Sequence, residues 1–510
     1  MTRRTLRFVV SAAAMAAACT LALGAADAIT AGDAELQFQL ANLLVDETRY
    51  PEALEAFTKA SHAPDPALAI RARKGRVRMA LRLVEFATAR TEAEAVLRDA
   101  PGDPEALTLK GDALWAAGLF DESEAVYGEA LDRNPGSSRA RFGHARASAT
   151  RSQLEEALKE ALTAVAAAPR DGEIHAGIGD IYERMNRFDE AANSYTNFIN
   201  LLPNKDKSDK AVWLRSQVKF LQAFEGKVPG DIDAEDLRML HTVPFRLVQD
   251  KIIVDGRVNG GGKQDFTLDT GSEETVISRE TAERRGVKPI AYTLSAGVGE
   301  VGLRGLQLAR IDSLDIGTLQ VRHLPVLIKN PALRGIPRRE GESFSPLSLG
   351  MSMIIDYKQR LLTIGRTLPD GEPGDAHLPM RVHRLAMVRG LVNTTHPAYF
   401  VVDTGGEVIS ISADMARQLG EASSAVASRR HIALKVYGTS GWDRDAFLLT
   451  GQSLDFDRIE YRNFPLVVLN LRAPSVLLGF QLGGIVGHKF LSGYRVSMDL
   501  AKSELRLHKP

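Results

Sequence analysis

Cysteine is almost absent from this chain. Cys19 is the only one in 510 residues, and it lies near the N-terminus. A disulfide framework is therefore excluded. The 11 histidines show no metal-ligand spacing, and His-Glu-x-x-His does not occur. No serine stands in a nucleophile-elbow context. Neither charge sign is in excess: 64 basic residues balance 64 acidic ones. That balance argues against nucleic acid or an anionic membrane as the main partner. No motif calls for a metal or a cofactor. Beyond the first residues, no apolar run is long enough to span a bilayer.

The N-terminus does carry an address. Arg3, Arg4 and Arg7 precede an apolar run from Phe8 to Leu23, and Ala26-Asp27-Ala28 follows as a cleavage site. This reads as an export leader over residues 1–28, with a periplasmic or extracellular destination. Left uncleaved, it would serve as an N-terminal membrane anchor, although it is shorter than the usual span of about 20 residues. Cys19 falls inside it, and Ala16-Ala17-Ala18 before it make a poor lipoprotein signal.

Residues 34–225 read as helix pairs with a period of 34. Pro101, Pro135, Pro169 and Pro203 keep that spacing without error. Gly111, Ala145 and Gly179 lie 24 positions before their prolines, and Ala89, Ala157 and Ala191 lie 12 before theirs. Tyr127 and Tyr195 share one slot, and a weaker first unit fits around Ala41, Tyr50, Ala53, Phe57 and Ala60. The pattern resembles the tetratricopeptide repeat. Small residues let two antiparallel helices approach, aromatic residues fill the gap, and proline ends the unit. Ser208–Phe224 reads as a capping helix, and residues 226–240 as a linker. Such an array forms a groove that commonly takes peptides, so a protein partner is expected there, with no chemistry of its own.

From about residue 241 the pattern changes to short strands and turns, and one motif appears twice. Phe266-Thr267-Leu268-Asp269-Thr270-Gly271-Ser272 is answered by Phe400-Val401-Val402-Asp403-Thr404-Gly405-Gly406. Gly286 lies 17 residues after Asp269, as Gly420 does after Asp403. Ile277-Ser278 parallels Ile411-Ser412, and His323-Leu324-Pro325 parallels Asn463-Phe464-Pro465. Ser348-Leu349-Gly350-Met351 is taken to parallel Ile485-Val486-Gly487-His488, with a strand-rich tail after each. Self-similarity of this kind means one structural unit used twice.

Two carboxylates a hydrogen bond apart cannot both ionise cheaply, so the pair holds one proton. Its ionised member can take a proton from water while the protonated member donates to a carbonyl oxygen. Ser272 can donate to Asp269, whereas Gly406 offers Asp403 no side-chain donor. Asp269 is therefore expected to carry the charge and Asp403 the proton. Glu273 and Glu407 add an acid near each motif.

The paired Asp-Thr-Gly strands resemble the aspartic peptidases, over about residues 245–510. Leu349-Gly350-Met351 and the lobe lengths resemble the retroviral-type branch, with both lobes on one chain as in pepsin-like enzymes. The resemblance implies an all-α tetratricopeptide-type solenoid followed by an all-β bilobal aspartic-peptidase fold, with lobes at 241–368 and 374–510. It implies catalytic Asp269 and Asp403, and loops supported by Thr270, Gly271, Ser272, Thr404, Gly405 and Gly406. The hydroxyls of Thr270 and Thr404 would cross-brace those loops. It also implies a glycine-rich flap, either at Gly297-Val298-Gly299-Glu300-Val301-Gly302 or at Tyr437-Gly438-Thr439-Ser440-Gly441. Two functions remain open on sequence alone. One is an endopeptidase acting on a protein or peptide substrate. The other is a binding or scaffold protein that uses the same fold and the repeat groove without cutting.

Overall fold

The helical half turns on a residue type that its position does not favour. Between the two helices of successive pairs the chain reverses through one left-handed residue. These are Val84 (φ 60°), Gly118 (φ 74°), Ser152 (φ 58°) and Asn186 (φ 57°), again 34 residues apart. Only Gly118 adopts that conformation freely. The computed structural model describes residues 30–206, 208–299, 303–329, 341–420, 431–438 and 441–509. The expected leader at 1–28, with Cys19, lies outside them, as do residues 300–302 and 439–440 of the two candidate flaps.

Eleven described helices precede the strands: α1 (Ala31–Asp46), α2 (Tyr50–Ala60), α3 (Pro66–Arg82), α4 (Phe86–Asp99), α5 (Pro104–Ala116), α6 (Phe120–Arg133), α7 (Ser138–Thr150), α8 (Leu154–Ala167), α9 (Gly172–Arg184), α10 (Phe188–Leu201) and α11 (Asp209–Gln222). The chain divides after Leu109 into two compact units. In the first, Gly75 faces the Phe57 ring so closely that a Cβ there would lie 2.6 Å from it. The second unit repeats the device. Gly111 and Gly143 flank the Tyr127 ring, where a Cβ would come within 2.6 and 2.3 Å, and Gly179 faces Tyr195 at 2.5 Å. Side chains cap several first helices: Ser137 accepts from the Ala140 amide at 3.3 Å, and Asp171 from the Glu173 amide at 3.0 Å.

The first lobe contains β1 (His241–Val248), β2 (Lys251–Val258), β3 (Gln264–Leu268), β4 (Thr275–Ile277), α12 (Arg279–Arg284), β5 (Pro289–Ala296), β6 (Leu303–Ile316), β7 (Leu319–Ile328), β8 (Glu342–Phe344), β9 (Ser352–Asp356) and β10 (Leu361–Gly365). The second contains β11 (Ala376–His383), β12 (Leu385–Val392), β13 (His396–Val402), β14 (Ile409–Ser412), α13 (Ala413–Gln418), β15 (His431–Ala433), β16 (Val436–Gly438), β17 (Gly441–Asp443), β18 (Phe447–Phe456), β19 (Ile459–Leu469), α14 (Arg472–Leu478), β20 (Gly484–Val486), α15 (His488–Leu491), β21 (Arg495–Asp499) and β22 (Glu504–His508).

The duplication holds down to single residues. β3 runs parallel to β8 as β13 does to β20, and β4 runs parallel to β7 as β14 does to β19. Ser278 and Ser412 cap α12 and α13, and Gly286 (φ 65°) and Gly420 (φ 81°) follow those helices in the left-handed region. His323 (φ 50°) and Asn463 (φ 51°) bend β7 and β19 at matching places. The two strand-rich tails pair with each other. One antiparallel sheet runs β1-β10-β9-β21-β22-β11 and joins the lobes along β9 and β21. A common apolar core continues from Phe266 and Ile311 in one lobe to Phe400 and Phe456 in the other.

The structure corrects one sequence pairing. The Asp269 amide donates to Phe344 O at 2.9 Å, and the Asp403 amide to Val486 O at 3.0 Å. Phe344-Ser345 therefore matches Val486-Gly487, so Ser345 and not Gly350 occupies the place of Gly487. Gly350 (φ 67°) instead closes a short 3-10 turn at Pro346–Leu349.

The helical array is also more than an attached recruiter. From Lys110 onward it belongs to the same unit as both lobes. Trp115 and Phe120 are buried with Tyr399, Leu478 and Phe480 of the second lobe. The buried Arg381 of β11 donates to Asp121, to Glu124 at 2.8 Å and to the Thr150 hydroxyl at 3.2 Å. Tyr399 donates to the other oxygen of Asp121 at 2.7 Å. Residues 226–240 are anchored too. Asp231 pairs with Arg322 through the backbone, and Arg322 bridges Asp231 and Asp233 at 2.8 and 2.7 Å.

Two outcomes follow from this interface. Burial works to raise Asp121, but Tyr399 and Arg381 hold it below the usual carboxylate range. Its contribution is then complete above the unfolded value of about 3.9 and lost as pH falls through the lower folded value. Arg381→Ala should lower the stability of this unit by about 1–3 kcal/mol, because it leaves Asp121 with Tyr399 alone and Glu124 with Arg151 and frees the Thr150 hydroxyl, and urea unfolding at neutral pH reads it. Deleting residues 29–225 should yield insoluble or unfolded lobes, since Tyr399 and Phe480 lose their cover; a soluble, folded fragment by circular dichroism would contradict this.

Candidate active site

Each Asp-Thr-Gly closes a strand whose end is fixed by sheet pairing. β3 places Asp269 one residue after Leu268, and β13 places Asp403 one residue after Val402. The last three residues of β3 and the last five of β13 are buried, so the polar triplets emerge where the two lobes meet. The Thr270 hydroxyl donates to Val402 O at 2.6 Å and accepts from the Thr404 amide at 3.0 Å. The Thr404 hydroxyl donates to Leu268 O at 2.8 Å and accepts from the Thr270 amide at 3.1 Å. Each buried threonine thus satisfies a donor and an acceptor on the opposite loop.

This brace brings the carboxyl groups of Asp269 and Asp403 into hydrogen-bond contact with each other. Glycine after each threonine is a steric requirement. A Cβ on Gly271 would lie 2.5 Å from Asp403 Cγ, and one on Gly405 would lie 2.5 Å from Asp269 Oδ1. The two carboxylates are held unequally. Asp403 Oδ1 accepts from the Gly405 and Gly406 amides, both at 2.8 Å, while Asp269 Oδ1 accepts from the Gly271 amide at 3.1 Å. Burial raises Asp403 above the ordinary carboxylate range; the two amides, Lys251 and Asp269 offset only part of that rise.

The expected role of Ser272 is corrected. Its hydroxyl donates to Glu274 O at 2.8 Å and closes the loop after Asp269. The asymmetry runs the other way from the sequence expectation: two amides and Lys251 favour the charge on Asp403, not on Asp269. Gly406 has no side-chain donor but supplies its amide, and a Cβ there would lie 2.7 Å from Asp403 Oδ2. The added acid Glu273 is paired with Arg384 at 2.5 Å, from the turn between β11 and β12.

Both candidate flaps sit at hairpin turns. Gly297 and Gly299 lie in the turn between β5 and β6, and Tyr437 and Gly438 lie in β16, paired with β17. The hairpins approach one another: a Cβ on Gly438 would lie 2.3 Å from Val298 O. Val298 packs on the apolar cluster of the second lobe that includes Tyr399, Val467, Leu478 and Phe480. The sequence reading missed Lys251, whose ammonium donates to Gly405 O and adds its charge near Asp403. The signal was a departure from the duplication. Leu385 occupies the matching position, 134 residues later.

A family model described as aspartyl protease matches residues 254–353. Tetratricopeptide-repeat models match residues 38–104, 108–173 and 174–210. The chain carries tetratricopeptide repeats followed by an aspartyl protease domain. No curated protein matches it. Among solved structures, the aspartic proteinase from Irpex lacteus is 13% identical and covers 53% of this chain and 97% of its own, with a TM-score of 0.34. A thermophilic tetratricopeptide protein of Thermus thermophilus is 20% identical, covering 36% of this chain and 98% of its own, with a TM-score of 0.31. One from Parabacteroides merdae is 21% identical, covering 40% and 77%, with a TM-score of 0.29. Among the described residues of the protease domain and the repeats, no group of three metal-ligating side chains is assembled, and no helix is long and apolar enough to cross a membrane.

The brace makes its own prediction for the protease domain. Thr404→Val keeps the shape but leaves Leu268 O and the Thr270 amide unpaired in a buried site. It should cost about 1–3 kcal/mol, whereas Thr404→Ser should keep most of the stability. Denaturant unfolding of the full chain compares them, and equal midpoints for the two variants would show that these bonds do not hold the loops.

Proposed function

We propose that this chain is an exported aspartic endopeptidase. The reading is carried by one observation: two carboxyl groups, hydrogen-bonded to each other, sit at the junction of two lobes on mutually braced loops. A pair of this kind shares a single proton, and its titration belongs to the pair. The ionised member takes a proton from a water placed between them. That water attacks the peptide carbonyl carbon, and the protonated member donates to the carbonyl oxygen. The proton on the first carboxyl then passes to the leaving amine as the carbon–nitrogen bond breaks, and one hydroxyl of the intermediate returns its proton to the second carboxyl, which restores the one-proton pair.

No cofactor or metal enters this reading. Thr270 and Thr404 position the loops, Gly271 and Gly405 let the carboxyls meet, and Lys251 biases the charge near Asp403. Of the two glycine-rich hairpins, the one at Gly297–Gly299 is the better flap candidate, since it spans from the first lobe to the second, where Val298 packs on the second lobe's apolar cluster. The tetratricopeptide groove would recruit the protein substrate or a protein partner, as such repeats generally do. The leader at residues 1–28 directs the chain out of the cytoplasm.

Replacing either aspartate separates cutting from binding alone. Asp269→Asn and Asp403→Asn should each lower kcat on a diverse peptide mixture by at least about 10²-fold, with folding intact. Undiminished turnover in either variant sinks the assignment. For the wild-type chain, the rate should trace a bell against pH. Because burial raises the titration of the coupled pair, the single-proton form persists above the ordinary carboxylate range, and the rate declines as pH rises through that upper value. A rate still rising up to neutral pH and beyond it would exclude a carboxyl as the proton donor.

A further inference from the structure

The strand β5 forms the outer arm of the hairpin that reaches from the first lobe to Val298. It pairs with β6 along one edge. At its other edge stands α11, the last helix of the array. The Ser216 hydroxyl donates to Tyr292 O at 2.7 Å and accepts from the Tyr292 amide at 3.0 Å. One side chain thus takes the place that a neighbouring strand would fill. The base of the hairpin is fixed by packing as well. Ala291 and Leu308 are buried with Phe188, Phe220, Leu221 and Phe224 of α10 and α11. Arg310 of β6 donates to Ala223 O at 2.8 Å and lies over the Phe224 ring at 5.6 Å.

The far end of the same hairpin is held by the second lobe, where Val298 meets Gly438 and packs on the apolar cluster of Tyr399, Val467, Leu478 and Phe480. The hairpin therefore joins α11 of the array to the second lobe as one arm. We infer that Ser216 of the array is a positioning residue of the peptidase: it sets the covering hairpin at the height at which a peptide is held against the two aspartates. This rests on the peptidase reading above. It assigns to the array a part in substrate binding at the cleft itself, separate from recruitment in its own groove.

The test uses the full chain and its conservative variants. Ser216→Ala removes both bonds to Tyr292, and Ser216→Thr keeps a hydroxyl. A fluorogenic peptide chosen from a diverse library by the wild-type chain supplies the kinetics. Loss of contacts that act on bound substrate and transition state alike raises KM and spares kcat. Ser216→Ala should raise KM roughly threefold to tenfold, the range expected for losing one or two net hydrogen bonds. Both kcat and the limits of the pH profile should stay in place, and Ser216→Thr should restore KM. Arg310→Gln, which loosens the same arm from the hairpin side, should act like Ser216→Ala.

Hydrogen exchange gives a second readout that needs no turnover. Amides of residues 291–296 should exchange faster in Ser216→Ala than in wild type, in the Asp269→Asn background as well. An unchanged exchange rate there, or an unchanged KM, overturns the inference. So does a Ser216→Thr variant as impaired as Ser216→Ala, which would mark a packing effect only. A wild-type chain that cuts no peptide refutes the peptidase reading instead, and the exchange measurement still decides whether Ser216 holds the hairpin.

Discussion

Four hydrogen bonds between two buried threonines and the opposite loops organise the β half of this molecule. Thr270 and Thr404 each use one hydroxyl to close a donor and an acceptor across the junction of the lobes. In a buried site an unmade bond costs more than a made one gains, so the four stand or fall together. Their geometry leaves no freedom to the residues on either side. The aspartates before them must face each other, and the residues after them must lack a Cβ.

The second organising contact lies far from the cleft in sequence. Arg381 accepts burial because Asp121 and Glu124 meet its guanidinium, and Phe120 packs its ring against Tyr399 and Phe480 beside it, both at 4.9 Å. The same region of the array ends in α11, which reaches the other lobe at Tyr292. The half of the array that begins at Lys110 therefore touches both lobes, and relative motion of the lobes is limited by helices that carry no catalytic group.

Much of this was legible in the sequence because local geometry writes local signals. The proline spacing, the small residues opposite Tyr127 and Tyr195, the Ser278 and Ser412 caps and the Gly286 and Gly420 stops each answer to a nearby backbone need. The Asp-Thr-Gly strands are of the same kind. What escaped depended on distant partners. Gly350 looked like the counterpart of Gly487, yet the glycine at 487 is demanded by carbonyls of Gly406 and Val408, which a Cβ would meet at 2.7 Å. Nothing near Gly487 in the chain announces that. Ser272 offered a plausible donor, and only the loop geometry shows it turned toward Glu274. Arg381 is one arginine in a strand, and its partners lie some 260 residues earlier.

Carrying both halves of the site on one chain has a further effect. Two identical subunits must accept every substitution twice, once on each side of the axis. Here the sides have drifted apart: Lys251 faces the place of Leu385, Ser345 that of Gly487, and Ser272 that of Gly406. A peptide has a direction, and a perfectly two-fold cleft would greet it identically whichever way it lay. For the peptide substrate proposed above, a lysine on one side and a leucine on the other make the two orientations differ in energy and give the cleft a polarity.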